Sequence, residues 1–247
     1  MARRPEPPPY RGIVFDCDST LASIEGIEAL AAGAPESVRA SIAELTAAAM
    51  EGRIPLQDAY GARLDTIRPS VQDVQRIGEL YIQHCLPHAP ELMAALHFLE
   101  KDLFVVSGGL LAPVRQLAGH LGIPPKRSMA VDVYFDGQGA YQGFEANSPL
   151  ARAGGKLEVL STLKVQYGPL ALVGDGATDL EAAPACARFI AFAGVESRPN
   201  VLAAADAVSE HRDLAGLLTL LCSPAEIARL AQQPQHAALV SAAESLA

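Results

Sequence analysis

The chain has 247 residues, half of them hydrophobic and 19% charged, with a formal charge of −9. That is globular composition, ample for one large core or for a core with a small second domain. The negative balance argues against a nucleic-acid or anionic-membrane partner, and no run approaches the roughly 18 apolar residues of a membrane span.

Met1 to Tyr10 holds two arginines and four prolines but no apolar core, so it reads as a short disordered leader and not a secretory signal. Gly12 to Phe15 reads as a strand too apolar to face water on either side, which suits a parallel sheet covered by helices. It ends abruptly in Asp16-Cys17-Asp18-Ser19-Thr20. From Leu21 to Leu86 the pattern turns alanine-rich with helical spacing (Ile24, Ile27, Leu30; Ile42, Leu45; Leu64, Ile67) and contains no convincing strand. This block predicts a small helical cap inserted after the first strand.

Strand–helix alternation then resumes. A helix is expected over Pro90 to Glu100, and a strand over Leu103 to Val106 that stops at Ser107-Gly108-Gly109. A helix follows over Leu111 to Leu121, and Met129 to Phe144 reads as a hairpin around Asp136-Gly137. Gly154-Gly155-Lys156 opens another helix through about Lys164; Leu170 to Val173 is a buried strand ending at Gly174-Asp175-Gly176; Phe189 to Phe192 is a further strand. Ser223-Pro224 starts a helix-prone terminal segment, read as a helical hairpin or partly ordered tail with no chemistry assigned. The expected fold is α/β, a Rossmann-like doubly wound parallel sheet. Its expected divisions are a leader (1–11), a core (12–20 and 87–221), a helical cap (21–86) and a C-terminal helical extension (222–247).

Four cysteines, Cys17, Cys85, Cys186 and Cys222, stand far apart without a CxxC pair, which argues against a zinc cluster and for reduced thiols in a cytoplasmic protein. The chemistry gathers instead at strand ends, where ligands sit in parallel sheets. Asp16 and Asp18 point to the same side of an extended chain, and two such carboxylates repel unless a cation or proton lies between them. Asp175, Thr178 and Asp179 follow another strand, Ser107-Gly108-Gly109 a third, and Lys156 opens a helix. Carboxylate oxygens together with a substrate phosphate are what Mg2+ prefers; lysine adds a point charge for phosphate oxygens. One carboxylate can attack phosphorus, and the second can carry the proton of the leaving oxygen. Taken singly, each motif also occurs in plain turns and surface loops; their joint occurrence at element boundaries speaks against that reading.

The set DCDST (Asp16 to Thr20), SGG (Ser107 to Gly109), Lys156 and GDGATD (Gly174 to Asp179) resembles the haloacid-dehalogenase (HAD) superfamily of phosphohydrolases, and within it the phosphoserine phosphatase family. DCDSTLASIEGIEALA, MEGRIPLQDAYGARL, VYFDGQGAYQGF and GDGATDLEAAPACARFIAF carry the narrower match, which runs from about Gly12 to Leu221. The resemblance implies that Asp16 is the nucleophile and a magnesium ligand. Asp18 would be the general acid and base, its carbonyl a second ligand, and Asp175 the third. Asp179 would hold a metal-bound water or orient Lys156. Ser107, Gly108 and Lys156, with Gly109 in the same loop, would hold phosphoryl oxygens. Glu25 would meet the substrate ammonium, Arg63 its carboxylate, Met50 would form an apolar wall, and Thr178 would add a hydrogen bond. The implied reaction is hydrolysis of O-phospho-L-serine, the last step of L-serine biosynthesis. The alternatives are another small phosphomonoester, or phosphoryl transfer to an alcohol such as homoserine. A small phosphomonoester is the expected partner, with no nucleic acid and no membrane; a homodimer is compatible with the sequence. Glu51, Leu110 and Leu111 depart from the family pattern, which more often has glycine after the cap methionine and an aromatic and a basic residue after SGG.

Overall fold

A strand with no polar side chain needs cover on both faces, and the fold supplies it. The computed structural model describes residues 8–50 and 53–246, with the backbone alone at 47–50 and 56. Among these residues the strands are β1 (Gly12–Phe15), β2 (Asp102–Leu110), β3 (Ser128–Val131), β4 (Val133–Phe135), β5 (Tyr141–Phe144), β6 (Leu170–Gly174), β7 (Arg188–Phe192) and β8 (Ala207–Ser209). Six form one wholly parallel sheet in the order β3-β2-β1-β6-β7-β8, while β4 and β5 pair antiparallel as a separate hairpin.

Between β1 and β2 lie α1 (Gly26–Ala31), α2 (Glu36–Met50), α3 (Leu56–Ile67), α4 (Val71–Gln83) and α5 (Ala89–Phe98). The later helices are α6 (Leu111–His120), α7 (Gly155–Tyr167), α8 (Ala177–Ala182), α9 (Pro199–Ala204), α10 (Leu218–Leu221), α11 (Pro224–Ala231) and α12 (Pro234–Ser245). Alternation along the strands splits the interior into two cores. Ile13, Phe15, Val105 and Val173 face one side, with Leu92 and Leu96 of α5, Val114 and Leu117 of α6, and Leu239 and Val240 of α12. Val14, Phe104, Val106 and Leu172 face the other, over Leu160 and Leu163 of α7.

The strand order reverses at β1. From there the chain steps outward to β2 and β3, and after β6 it steps the other way to β7 and β8. Helices leaving β1's two neighbours diverge, so a crevice opens beyond the carboxyl ends of β2, β1 and β6. The helical segment between β1 and α5 leaves and re-enters the sheet side by side. Ala22 bridges to Cys85, Ser23 N–H donates to the His84 carbonyl (2.9 Å), and Leu86 N–H donates to that of Leu21 (3.0 Å). α4 buries Val74, Ile77, Gly78 and Tyr81, the spacing of one helical face, and starts at a Ser70 cap reciprocated by Asp73.

The structure corrects two element boundaries. β2 does not stop at Val106 but runs through Ser107, Gly108 and Gly109 to Leu110, because Leu110 pairs again with Val131 after a register shift. Ser128–Val131 belongs to the parallel sheet and not to the hairpin, which is confined to β4 and β5; Met129 pairs with Val106. β8, at the sheet edge, was not foreseen: Ala207–Ser209 is too short to carry a strand pattern.

α11 and α12 pack onto the first core through Leu230, Leu239, Val240 and Ala243. Ser223 caps α11 in a reciprocal pair with Glu226, and Glu226 also ion-pairs with the buried Lys101 at the head of β2. Leu239 is almost wholly buried, so Leu239→Ala leaves a cavity there. It is expected to lower unfolding stability by about 2–5 kcal/mol, read as a lower urea midpoint at unchanged m-value. A midpoint equal to that of the native sequence would show that α12 adds nothing to the core.

Candidate active site

Asp16 is the first residue past β1. Its N–H still donates to the Val173 carbonyl (2.9 Å), so the backbone stays in the sheet while the side chain enters the crevice. Asp175 is the corresponding residue past β6, and Asp179 stands one turn later in α8. Carboxylate oxygens of Asp16, Asp175 and Asp179 lie within 4.8 Å of one another. Beneath them Lys156, in the first turn of α7, reaches Asp179 Oδ1 at 2.7 Å and Asp16 Oδ1 at 3.1 Å. Asp179 Oδ2 accepts the Gly176 N–H (3.1 Å), Asp16 Oδ1 accepts that of Cys17 (2.8 Å), and Thr20 Oγ1 donates to Asp175 Oδ1 (3.2 Å).

Two glycines make this packing feasible. A Cβ at Gly174 would fall 2.2 Å from Asp179 Cγ, and one at Gly155 would fall 1.6 Å from the Pro149 carbonyl oxygen. Gly155 thus seats α7 against the backbone before it, which fixes the height of Lys156. Burial lowers the affinity of Lys156 for its proton, but Asp16 and Asp179 outweigh it and hold the ammonium above its ordinary pKa. Burial also pushes Asp179 up to about 7, with Lys156 pulling the other way.

The crevice is a cavity of about 890 Å³. Of the residues singled out from the sequence, Asp16, Asp18, Ser107, Gly108, Gly109 and Asp175 line its floor. Glu25, Arg63 and Thr178 line its walls, and Lys156 and Asp179 lie under the floor. Met50 ends α2 with its side chain outside the described residues, as does Glu51 altogether. Ser107 Oγ accepts the Gly109 N–H (2.9 Å), which leaves its O–H free to donate. Leu110 is buried in the second core and Leu111 opens α6. Cys17 is wholly buried, facing away from the crevice.

Asp18 differs in environment from Asp16. Its Oδ1 accepts from Tyr81 Oη (2.5 Å) and from the Gly26 N–H (2.9 Å), two groups supplied by the helical segment. Burial, then the nearby Glu25 charge, push its carboxyl up to about 8, against these hydrogen bonds. Glu25 accepts from Ser19 Oγ (2.7 Å) and is itself raised, first by burial. Arg63 approaches Glu28 at 3.6 Å and Thr46 Oγ1 at 3.5 Å.

Three polar groups of this site escaped the sequence reading. Arg198 lies past β7, pairs with the Asp175 carboxylate, donates to the Asp175 carbonyl (3.2 Å) and stands 3.9 Å from Glu25. It stands well beyond the end of β7 at Phe192, so the strand-end rule that exposes Asp16 and Asp175 does not mark it. Tyr60, on the cavity wall, and Tyr81, against Asp18, read in sequence as ordinary apolar positions of helices.

Three carboxylates converging with no histidine or thiolate among them form a hard oxygen donor set that could hold a metal ion. Beside it stand a nucleophile-competent carboxylate over a buried ammonium, a second carboxyl raised into the neutral range, and a free hydroxyl. That combination suits transfer of a phosphoryl group.

Residues 10–186 match the family model of haloacid dehalogenase-like hydrolases. The phosphoserine phosphatase of Rattus norvegicus is 37% identical over 191 residues, which covers 76% of this chain and 84% of that protein. The chloroplastic phosphoserine phosphatase of Arabidopsis thaliana is 38% identical over 200 residues, covering 78% and 66%. A solved structure described as a phospho-aspartyl intermediate analogue of phosphoserine phosphatase superposes with a TM-score of 0.72 at 26% identity, over 86% of this chain and 99% of that one. The chain therefore belongs to the haloacid dehalogenase-like hydrolases and, within them, groups with the proteins called phosphoserine phosphatases.

Proposed function

We propose that the protein is a magnesium-dependent phosphatase that hydrolyses O-phospho-L-serine to L-serine and phosphate through a phosphorylated Asp16. The observation that carries the reading is the unequal pair at the end of β1. Asp16 sits over the Lys156 ammonium, whereas Asp18, two residues on, accepts from Tyr81 and Gly26, and burial beside Glu25 raises its affinity for a proton. The family resemblance and the names of the relatives supply the substrate.

In the first half-reaction a carboxylate oxygen of Asp16 attacks phosphorus as the bond to the serine oxygen breaks, and Asp18 gives its proton to that oxygen. In the second, Asp18 takes a proton from water, which attacks the aspartyl phosphate; phosphate leaves and the Asp16 carboxylate is restored. Ser107 O–H, the Gly108–Gly109 backbone and Lys156 hold the phosphoryl oxygens as charge moves between them. Asp16, Asp175 and the Asp18 carbonyl would hold Mg2+, with Asp179 acting through a bound water. The cation would neutralise phosphoryl oxygens when bound. Glu25 takes the substrate ammonium and Arg63 its carboxylate, Thr178 adds a hydrogen bond, and Met50 an apolar wall. The helical segment 21–86 acts as a cap over the core, and residues 222–247 form an extension beside it. A place in the cytoplasm, as the last enzyme of L-serine formation, fits this reading.

With Mg2+, phosphate release from O-phospho-L-serine is expected to exceed that from O-phosphothreonine and sugar phosphates. Asp16→Asn should lower it by at least ~10³-fold, the scale on which groups acting as a unit fail. A sugar phosphate as the preferred substrate, or activity retained in the variant, would sink the substrate or the nucleophile assignment respectively. Phosphorylated homoserine appearing when homoserine is supplied would mark a transferase instead.

Chelation should abolish turnover and added Mg2+ restore it. Asp175→Asn should raise the Mg2+ concentration for half-maximal rate by about tenfold or more. Turnover that persists after dialysis against chelator would remove the cation from the reaction.

A further inference from the structure

Tyr81 is wholly buried, yet its hydroxyl ends on the carboxyl that is assigned the proton of the reaction. Its approach is prepared by glycines. Gly78, three residues earlier on the buried face of α4, lets that helix lie against α6; a Cβ there would fall 2.0 Å from Gln116 Oε1. A Cβ at Gly26 would fall 2.3 Å from Tyr81 Oη, so glycine at the start of α1 leaves the hydroxyl its place. The Tyr81 O–H and the Gly26 N–H both end on Asp18 Oδ1, at 2.5 and 2.9 Å. Oδ2 lies toward another element. A Cβ at Gly109 would fall 3.0 Å from Oδ2 and 3.1 Å from Ser107 Oγ, which sets Oδ2 beside the Ser107–Gly109 stretch that lines the cavity with Asp18.

We propose that Tyr81 is a positioning residue for the proton-transfer step: with Gly26 it holds Oδ1 of Asp18, so that the reacting proton travels on Oδ2. This rests on the functional reading above and adds to it which oxygen is used and which side chain selects it. An oxygen that already accepts two hydrogen bonds has both lone pairs engaged, so a proton carried by Asp18 sits on the other oxygen. In the first half-reaction that proton passes from Oδ2 to the serine oxygen as the bond to phosphorus breaks and its electron pair stays on that oxygen. In the second, Oδ2 takes a proton from the attacking water. Through both steps the two donors on Oδ1 fix the plane of the carboxyl and steady the charge that appears on it when the proton leaves.

Tyr81→Phe removes the hydroxyl and keeps the ring. With Mg2+, kcat/KM for O-phospho-L-serine is expected to fall about tenfold or more, a part of the roughly 10²–10⁴-fold that a positioned acid supplies. For acetyl phosphate or p-nitrophenyl phosphate, whose leaving groups need no proton, the fall should stay within about twofold. Damage to the fold or to the nucleophile would slow both kinds of substrate alike. The inhibition constant for inorganic phosphate should hold, because the groups that take the phosphoryl oxygens are untouched. An unchanged kcat/KM for O-phospho-L-serine in the variant would overturn the inference, and so would equal losses on both kinds of substrate. A native enzyme that does not hydrolyse O-phospho-L-serine would overturn the functional reading and this inference with it, a failure seen before any variant is made.

Discussion

Three carboxylates share one small space at the ends of β1 and β6, and a single buried ammonium sits under them. At about 3 Å and an effective dielectric near 20, two unit charges interact by roughly 5 kcal/mol gross. Two such attractions are what keep Lys156 charged with almost no contact with water, and they leave the cluster still net negative. Much of the fold can be read as the scaffold for this arrangement. Gly174 clears room for Asp179, Gly155 lets α7 close on Pro149, and the parallel pairing of Phe15 with Val173 brings Asp16 beside the end of β6, next to Asp175. Such a cluster is a poor stability element and a good cation site, because a hard cation gains from all the oxygens at once.

The second carboxylate of the pair is governed by another part of the chain. Asp18 is tied down by Tyr81 and by the start of α1, both in the helical segment, and its proton affinity is raised by burial and by Glu25 from that same segment. The nucleophile's surroundings thus come from the sheet and those of the proton carrier from the insert. Because the insert leaves and re-enters at Ala22 and Cys85, which bridge to each other while Ala22 also bridges to Asp18, it touches the floor of the cavity at the very residue that needs tuning. The hairpin plays a comparable part at the far wall, where Phe144 holds Tyr60.

Legibility in the sequence followed the physical signal. Strands buried on both faces announce themselves, as Ile13 to Phe15 and Leu170 to Val173 do, and so do acidic residues directly after them. Ser107 to Gly109 read as a turn because serine and glycine usually make one; the renewed pairing of β2 with β3 at Leu110 is a tertiary fact. Met129 to Val131 reads in sequence as part of the hairpin, since alternation does not say which partner a strand will find. Arg198 carries no motif and lies beyond the matched family region, so only its contact with Asp175 marks it. Tyr60 and Tyr81 are indistinguishable by pattern from core aromatics; what separates them is where the hydroxyl ends.

By itself the sequence determined the α/β class, the helical insert after β1, and the polar residues in and under the floor: Asp16, Asp18, Ser107, Lys156, Asp175 and Asp179, each set near the end of an element by local periodicity. Local pattern can do this because strand and helix boundaries are short-range properties. Tertiary structure alone decided how the charges pair, that Lys156 answers both Asp16 and Asp179, that Arg198 joins Asp175, and that Asp18 and Asp16 meet different surroundings although only Cys17 separates them. It also decided which buried hydroxyls find a partner, as Tyr81 Oη does on Asp18. Those outcomes depend on distances between residues far apart in the chain and on the water each group loses, and neither quantity is written in the order of the residues.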